Sequence, residues 1–178
     1  MQVSARSLSE VPIIGFSTNE KLGLIQSVII DPARMKVLFL VVQTSQGKDK
    51  AILPASEIRE ITHQHCIVDA QTSLTTSDDL VRHEKLLTEP VLLLRYRVMT
   101  VSGVSLGRCY DFVFDAQTMA LTKIYVQATH WQRIFINHHI IDVNDVLRLD
   151  VKKRVLIVRD ALLTELKEAK NVLPAQSS

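Results

Sequence analysis

Short apolar runs separated by turn-forming residues dominate the chain. The runs are rich in Val, Ile and Leu, and residues such as Asn, Asp, Gly and Pro stand between them. No strand–helix–strand alternation is visible, so the pattern favours antiparallel strands in a closed barrel or sandwich over a parallel α/β sheet. The predicted strands are 24–30, 37–44, 50–53 and 65–69 in the first half, and 91–101, 108–114, 121–128, 133–136 and 155–158 in the second.

Two segments have helical features instead. Ser77 is a suitable N-cap for a short helix over 76–87, the acids that follow it suit the positive end of the helix dipole, and Pro90 ends it before the next strand. A second helix is predicted over 160–172, where apolar residues recur at helical spacing and charged residues fall mostly on the other side. We expect the tail 174–178 to be loose.

The second half of the chain repeats the first, which is the most informative feature of the sequence. Three offsets relate the two copies, 84, 88 and 91 residues, and their growth indicates insertions in the loops of the second copy. The matched residues are Leu22-Gly23 with Leu106-Gly107, Asp31 with Asp115, Val42-Gln43 with Val126-Gln127, Ile52-Leu53, Ile58 and Ile61 with Ile140-Ile141, Val146 and Leu149, and Asp69-Ala70 with Asp160-Ala161.

Composition and charge indicate a folded protein without a general affinity for polyanions. The chain has 178 residues, of which 47% are hydrophobic and 22% charged, and its net charge is +2, so only a local basic patch could attract a polyanion. Cys66 and Cys109 have no paired spacing, which favours buried thiols in a reducing compartment. The first ten residues lack the apolar core of a signal peptide, and no apolar run reaches the ~18 residues of a membrane span. We therefore expect a cytoplasmic protein.

The histidines suggest a metal site, but their arrangement argues against it. His63-Gln64-His65-Cys66 and His138-His139 offer metal-ligand types close together. On a strand, however, His63 and His65 share one face while Cys66 lies on the other. The favoured interpretation is a solvated hairpin end and a polar loop, so no metal and no cofactor are predicted.

Catalytic motifs are also weak. Ser102 or Ser105 with His130 and Asp142 could be imagined as a triad, but no nucleophile elbow surrounds either serine. The Gly-x-x-x-Gly of 103–107 lacks the Lys-Ser/Thr of a phosphate-binding loop and leads into a strand. We expect a non-enzymatic protein.

Two kinds of residue remain candidates for binding a macromolecule. Arg95-Tyr96-Arg97 and Lys152-Lys153-Arg154 could contact RNA, or they could be a solvated strand face and a hairpin turn. Trp131, with Arg133 and Phe135, lies where the second copy is least regular, and aromatic and arginine side chains commonly anchor interfaces. These three residues are the candidate partner-binding site. The alternative interpretation is that Trp131 caps the barrel core.

The repeated signature resembles the PRC-barrel family, which includes the cytoplasmic domain of the photosynthetic reaction-centre H subunit and the barrel of the RimM-type ribosome maturation factor. It is carried by Ile14-Gly15, Leu22-Gly23 and 28–31 in the first copy, and by Gly103, Leu106-Gly107 and 112–115 in the second. The glycines suit tight turns or close backbone approach, and Asp31 and Asp115 suit a hydrogen bond to the following turn. The second copy lacks a proline equivalent to Pro54 and has a longer 131–139 region.

The resemblance implies a mainly β protein of two tandem, small antiparallel PRC-type β-barrels with a linking helix and a C-terminal helix. The expected divisions are a first barrel over 1–75, a linker helix over 76–90, a second barrel over 91–161, and a C-terminal helix and tail over 162–178. The implied function is a protein-interaction or assembly scaffold for a photosynthetic or other membrane-associated complex, reaching the membrane surface through a partner. The alternative is an RNA-associated ribosome maturation factor, although the N-terminal domain that such factors pair with the barrel is not recognised here. Exposed strand edges also allow a homodimer.

Overall fold

In a computed structural model the protein is mainly β. The structure describes residues 1–45, 50–70, 74, 89–128 and 138–162. Short 3₁₀ helices cover Arg6–Leu8, Ala55–Glu57 and Val143–Asp145. The strands are β1 Gln2–Ser4, β2 Pro12–Gly15, β3 Lys21–Asp31, β4 Lys36–Thr44, β5 Lys50–Pro54, β6 Ile58–Ile61, β7 Cys66–Val68, β8 Arg97–Thr100, β9 Ser105–Asp115, β10 Leu121–Gln127, β11 His138–Asp142, β12 Val146–Asp150 and β13 Val155–Val158.

The two copies of the repeat form two sheets with the same strand order. One sheet runs β5-β4-β3-β2-β7-β6, and the other runs β11-β10-β9-β8-β13-β12, with β1 added beside β9. In both sheets one inner pair is parallel, β2 with β7 and β8 with β13, next to an antiparallel hairpin partner, β3 or β9. The repeat in the sequence is therefore a repeat of topology.

Neither path of strands closes on itself in the described part of the chain, so the expected barrels are not confirmed. The described residues also contain no helix of seven or more residues. Of the helix predicted over 160–172, residues 160–162 are described: Asp160 lies in a turn, and Ala161 and Leu162 are helical. The predicted linker helix over 76–87 lies outside the described residues, as does the tail.

Contacts divide the chain into two compact units. Unit 1 contains Met1–Leu93 with Phe112–Thr122, and unit 2 contains Leu94–Asp111 with the chain from Lys123 onward. The tip of the β9–β10 hairpin therefore lies in unit 1, although it belongs to the second copy of the repeat. There it pairs with β1, and the backbone N–H of Ala5 donates to the carbonyl of Phe112 at 2.8 Å.

Two equivalent turns pair with each other inside unit 1. The N–H of Val37 donates to the carbonyl of Met119 at 2.8 Å, and the N–H of Leu121 donates to the carbonyl of Met35 at 2.9 Å. Both methionines have positive φ, 49° and 58°. Met35 and Met119 are 84 residues apart, which is the offset between the copies. Each copy therefore contributes the equivalent turn to this reciprocal contact.

Several strands differ from the expectation. The predicted strand over 91–101 is shortened to Arg97–Thr100, because Arg95 turns the chain with a φ of 71°. The predicted ranges also omit five strands, β1, β2, β6, β11 and β12. Among these, β1 has three residues, and β6 and β12 expose consecutive side chains rather than alternating them. The predicted strand over 133–136 lies outside the described residues.

Candidate functional site

Two glycines allow the central strands of each copy to approach closely. A Cβ added at Gly23 would lie 2.5 Å from the carbonyl oxygen of Gln43, and one at Gly107 would lie 2.1 Å from that of Gln127. Gly107 also has a φ of +132°. The repeated glycine and the repeated glutamine are thus contact partners, and both have a structural role.

The repeated aspartates shape the turns that follow β3 and β9. Asp31 Oδ1 accepts from the N–H groups of Ala33 and Arg34, at 2.9 and 3.3 Å. Asp115 Oδ1 accepts in the same way from Gln117 and Thr118, at 3.0 and 2.9 Å. Both contacts confirm the expected hydrogen bond to the following turn.

Asp115 has a further ionic partner. The N–H of Thr118 and then the N-terminal ammonium group, 3.2 Å from Oδ2, lower the pKa of Asp115 to about 2. The equivalent Asp31 instead faces the guanidinium of Arg34 at 3.3 Å.

His63, His65 and the two cysteines have structural surroundings. His63 Nδ1 is 2.8 Å from the hydroxyl of Ser7, and His65 Nε2 is 3.4 Å from a carboxylate oxygen of Glu60. Cys66 and Cys109 are buried, and burial raises the pKa of each thiol to about 12, which keeps both protonated at neutral pH. Among the described residues, no group of three or more His, Cys, Asp or Glu side chains is arranged to hold a metal ion.

The serines considered for catalysis have other partners. Ser102 Oγ donates to Asp160 Oδ1 at 2.8 Å, and the Ser102 N–H donates to the same oxygen at 3.0 Å. The N–H of Ser102 lowers the pKa of Asp160. Asp142 Oδ1 instead accepts from the backbone and side chain of Asn144, and His130 lies outside the described residues. These groups stabilise turns.

The candidate partner-binding residues Trp131, Arg133 and Phe135 also lie outside the described residues. Other exposed residues that could bind a partner lie in the turns that follow β2 and β8. The N–H of Phe16 donates to the carbonyl of Val68 at 2.7 Å, and the N–H of Val101 donates to the carbonyl of Val158 at 3.1 Å. Both side chains are exposed, so each copy presents an apolar residue at the same backbone position.

In unit 1 the exposed apolar residue, Phe16, contacts a charged one. The guanidinium carbon of Arg59 lies 4.1 Å from the centroid of the Phe16 ring, and Arg59 also forms an ion pair with Asp69 at 2.8 Å. Arg59 occupies a register shift of β6, between Ile58 and Glu60.

In unit 2 the equivalent positions are aliphatic. Leu147 occupies the matching register shift of β12, between Val146 and Arg148. Leu147 is 57% exposed, Val101 59% and Val104, in the same turn as Val101, 42%. We call Val101, Val104 and Leu147 the apolar end of unit 2. Sequence periodicity missed it because turn residues have no periodic pattern and β12 was not predicted.

Basic residues gather at the other end of β8. Arg97 and Arg108 are register partners on β8 and β9, and the N–H of Arg97 donates to the carbonyl of Arg154 at 3.0 Å. Arg108 donates through its guanidinium to the carbonyl of Arg95 at 3.2 Å. We call the exposed residues of this region the basic end of unit 2: Arg95, Arg97, Arg108, Lys152, Lys153 and Arg154.

No family model matches the chain, and no curated protein matches it. The part of the chain that the structure describes contains no helix long and apolar enough to cross a membrane.

Proposed function

We propose that this protein is a non-enzymatic scaffold that binds a protein subunit of a membrane-associated complex, such as a photosynthetic one. We also propose that each sheet is part of a PRC-type barrel. The identical strand order of the two sheets, with its inner parallel pair, supports a duplicated module of this kind. The link to photosynthetic complexes comes from the resemblance to the reaction-centre H subunit.

The apolar end of unit 2 is the observation that carries the proposal. Val101 is hydrogen-bonded to Val158 at the end of β13, and Val158 pairs with Val146, the residue before Leu147. The exposed aliphatic side chains therefore surround one strand end instead of being scattered singly. Clustered exposed apolar residues mark binding surfaces, because covering them removes apolar area from water.

The rest of the chemistry supports binding over catalysis. The two thiols are buried and protonated at neutral pH, so neither is a ready nucleophile. Ser102 donates its hydroxyl to Asp160, and this pair closes the turn that presents Val101. The Asp160 carboxylate therefore stabilises the turn that carries this exposed surface.

Affinity capture with matched variants tests the proposal. Tagged wild-type protein, the double variant Val101→Asp with Leu147→Asp, and the control Ile140→Asp are used as baits in soluble and membrane fractions, with and without nuclease. Ile140 is 57% exposed on the edge strand β11, as Leu147 is on β12. We expect wild type and Ile140→Asp to retain the same membrane-complex subunits without regard to nuclease, and the double variant to lose them.

Direct binding of the purified subunit to the three proteins then completes the test. If all three proteins bound the subunit equally, the apolar end would not be the partner-binding surface. Loss caused by Ile140→Asp alone would place the partner on β11 and contradict the assignment.

A second candidate is an RNA-associated ribosome maturation factor, and the basic end of unit 2 favours it. This function predicts that ribosomal proteins are captured and that nuclease treatment removes them. Substitutions at the apolar end should then have no effect on capture.

A further inference from the structure

The two units carry opposite net charge in their described residues. Unit 2 has nine Lys and Arg residues against five Asp and Glu, a net of +4, whereas unit 1 has six against eight, a net of −2. The excess of +2 for the whole chain conceals this difference. A polyanion would therefore be attracted to one unit only.

The positive charge of unit 2 is concentrated at its basic end. Segments 94–111 and 150–155 supply all six cations of that end and only two acids, Asp111 and Asp150. The Asp150 carboxylate accepts from the N–H of Lys153 at 3.0 Å and so helps to form the turn that carries Lys152 and Lys153. The acid thus holds two cations at the tip of the β12–β13 hairpin.

The neighbouring side chains favour a lipid surface over RNA. Recognition of single-stranded RNA uses aromatic rings that stack on bases. Tyr96 is buried, and Tyr110 packs edge to face on Tyr125 with 6.0 Å between the ring centroids. An aliphatic residue, Leu94, is exposed directly beside Arg95 instead. Cations with an adjacent aliphatic side chain suit anionic headgroups and the apolar layer beneath them.

We propose that the basic end of unit 2 binds directly to the surface of a bilayer that contains anionic phospholipids. The lysines at the hairpin tip and the arginines of β8 and β9 contact the headgroup phosphates, and Leu94 enters the interface. The Val101 end of β8 is the opposite end of the same strand, so the apolar end stays available to a protein partner.

Co-sedimentation with vesicles tests the proposal on the purified full-length protein. The vesicles are phosphatidylcholine alone or phosphatidylcholine mixed with phosphatidylglycerol. We expect binding only to the mixed vesicles, weakened by salt because the attraction is screened. Lys152→Glu with Lys153→Glu should lower the partition coefficient at least about tenfold.

The control variant is Lys21→Glu with Lys50→Glu, two exposed lysines of unit 1, which changes the total charge by the same amount. It should bind as wild type does, and thermal unfolding of both variants checks that they fold. Equal loss in the control, binding to phosphatidylcholine alone, or no vesicle binding would overturn the proposal. Binding to a single-stranded RNA oligonucleotide without binding to vesicles would also overturn it and assign the basic end to RNA.

The test is independent of the proposed protein partner. No partner is present in the vesicle assay, and the variant Val101→Asp with Leu147→Asp should bind mixed vesicles as wild type does. Loss of vesicle binding and loss of subunit capture therefore report on different ends of unit 2.

Discussion

The turn after β2 and the turn after β8 have one backbone arrangement and two kinds of surface. In both, the first residue of the turn donates to the last residue of the neighbouring parallel strand. In unit 1 this residue is Phe16, which contacts the guanidinium of Arg59, whereas in unit 2 it is Val101, with the aliphatic Leu147 at the position of Arg59. The repeat therefore preserves the groups that shape the backbone, whereas the exposed side chains beside the turn are aliphatic in unit 2 and include a guanidinium in unit 1.

The largest effect is expected where the shared backbone is broken. Gly107→Ala places a Cβ against the carbonyl of Gln127 at a φ of +132°, and should lower the free energy of unfolding by about 3 kcal/mol or more. Gly23→Ala, against the carbonyl of Gln43, should also be strongly destabilising. Denaturant unfolding at equilibrium measures both.

The matched control is Gly103→Ala, in the turn between β8 and β9. Its φ is +86°, but a Cβ there meets nothing within 4 Å, so only backbone strain of about 1 kcal/mol is expected. If Gly107→Ala were no more destabilising than this control, the close approach of the two strands would not be the reason for the repeated glycine.

The two aspartate turns sharpen the comparison through pH. Asp115 has a folded-state pKa of about 2 against about 3.9 in an unfolded chain, so its stabilising effect is present above pH ~4 and is lost as the pH falls toward 2. Asp115→Asn should remove the loss of stability between pH 4 and 2 that protonation of Asp115 causes. Acetylation of the N terminus should remove part of it, because the ammonium group is the second cause of the low pKa.

Acid unfolding followed by circular dichroism measures this contribution. An Asp115→Asn variant whose stability falls between pH 4 and 2 as steeply as that of wild type would contradict the prediction.

The smallest effect is expected from making the unit 1 surface resemble that of unit 2. Arg59→Leu removes the guanidinium from the Phe16 ring and from Asp69, and should lower the free energy of unfolding by about 0.5–1 kcal/mol, since both contacts are exposed to solvent. The double variant Phe16→Ala with Arg59→Leu tests the coupling, because loss of the ring contact should make the two changes less than additive. Full additivity in thermal unfolding would show that the cation–π contact contributes nothing.

Much of the framework could be predicted from the sequence because its signals are local. Leu22-Gly23 and Leu106-Gly107 aligned the copies, and the structure places both glycines against the aligned glutamines, Gln43 and Gln127. Asp69 and Asp160, aligned at the largest offset, lie beside the equivalent turns. A short edge strand such as β6, with Arg59 and Glu60 exposed in succession, has no alternation that a pattern could detect.

The candidate sites were harder to predict because each one assembles distant segments. Arg95-Tyr96-Arg97 and Lys152-Lys153-Arg154 were recognised separately, yet only the parallel pairing of β8 with β13 brings them together, and Arg108 was not recognised at all. Leu147 was not recognised either. It is exposed at the register shift of β12, which exists only in the pairing with β13.

Residue patterns are sufficient to predict the β-rich composition, the duplication, and the glycines and aspartates that shape the turns, because each depends on neighbouring residues or on comparison of the two copies. The strand order, the reciprocal contact of Met35 with Met119, and the placement of the apolar and basic ends of unit 2 are visible in the folded protein alone. These features depend on strand pairing, which satisfies backbone hydrogen bonds between segments far apart in the chain. Which side chains remain exposed follows from that pairing, whereas the local pattern states only which residues favour burial.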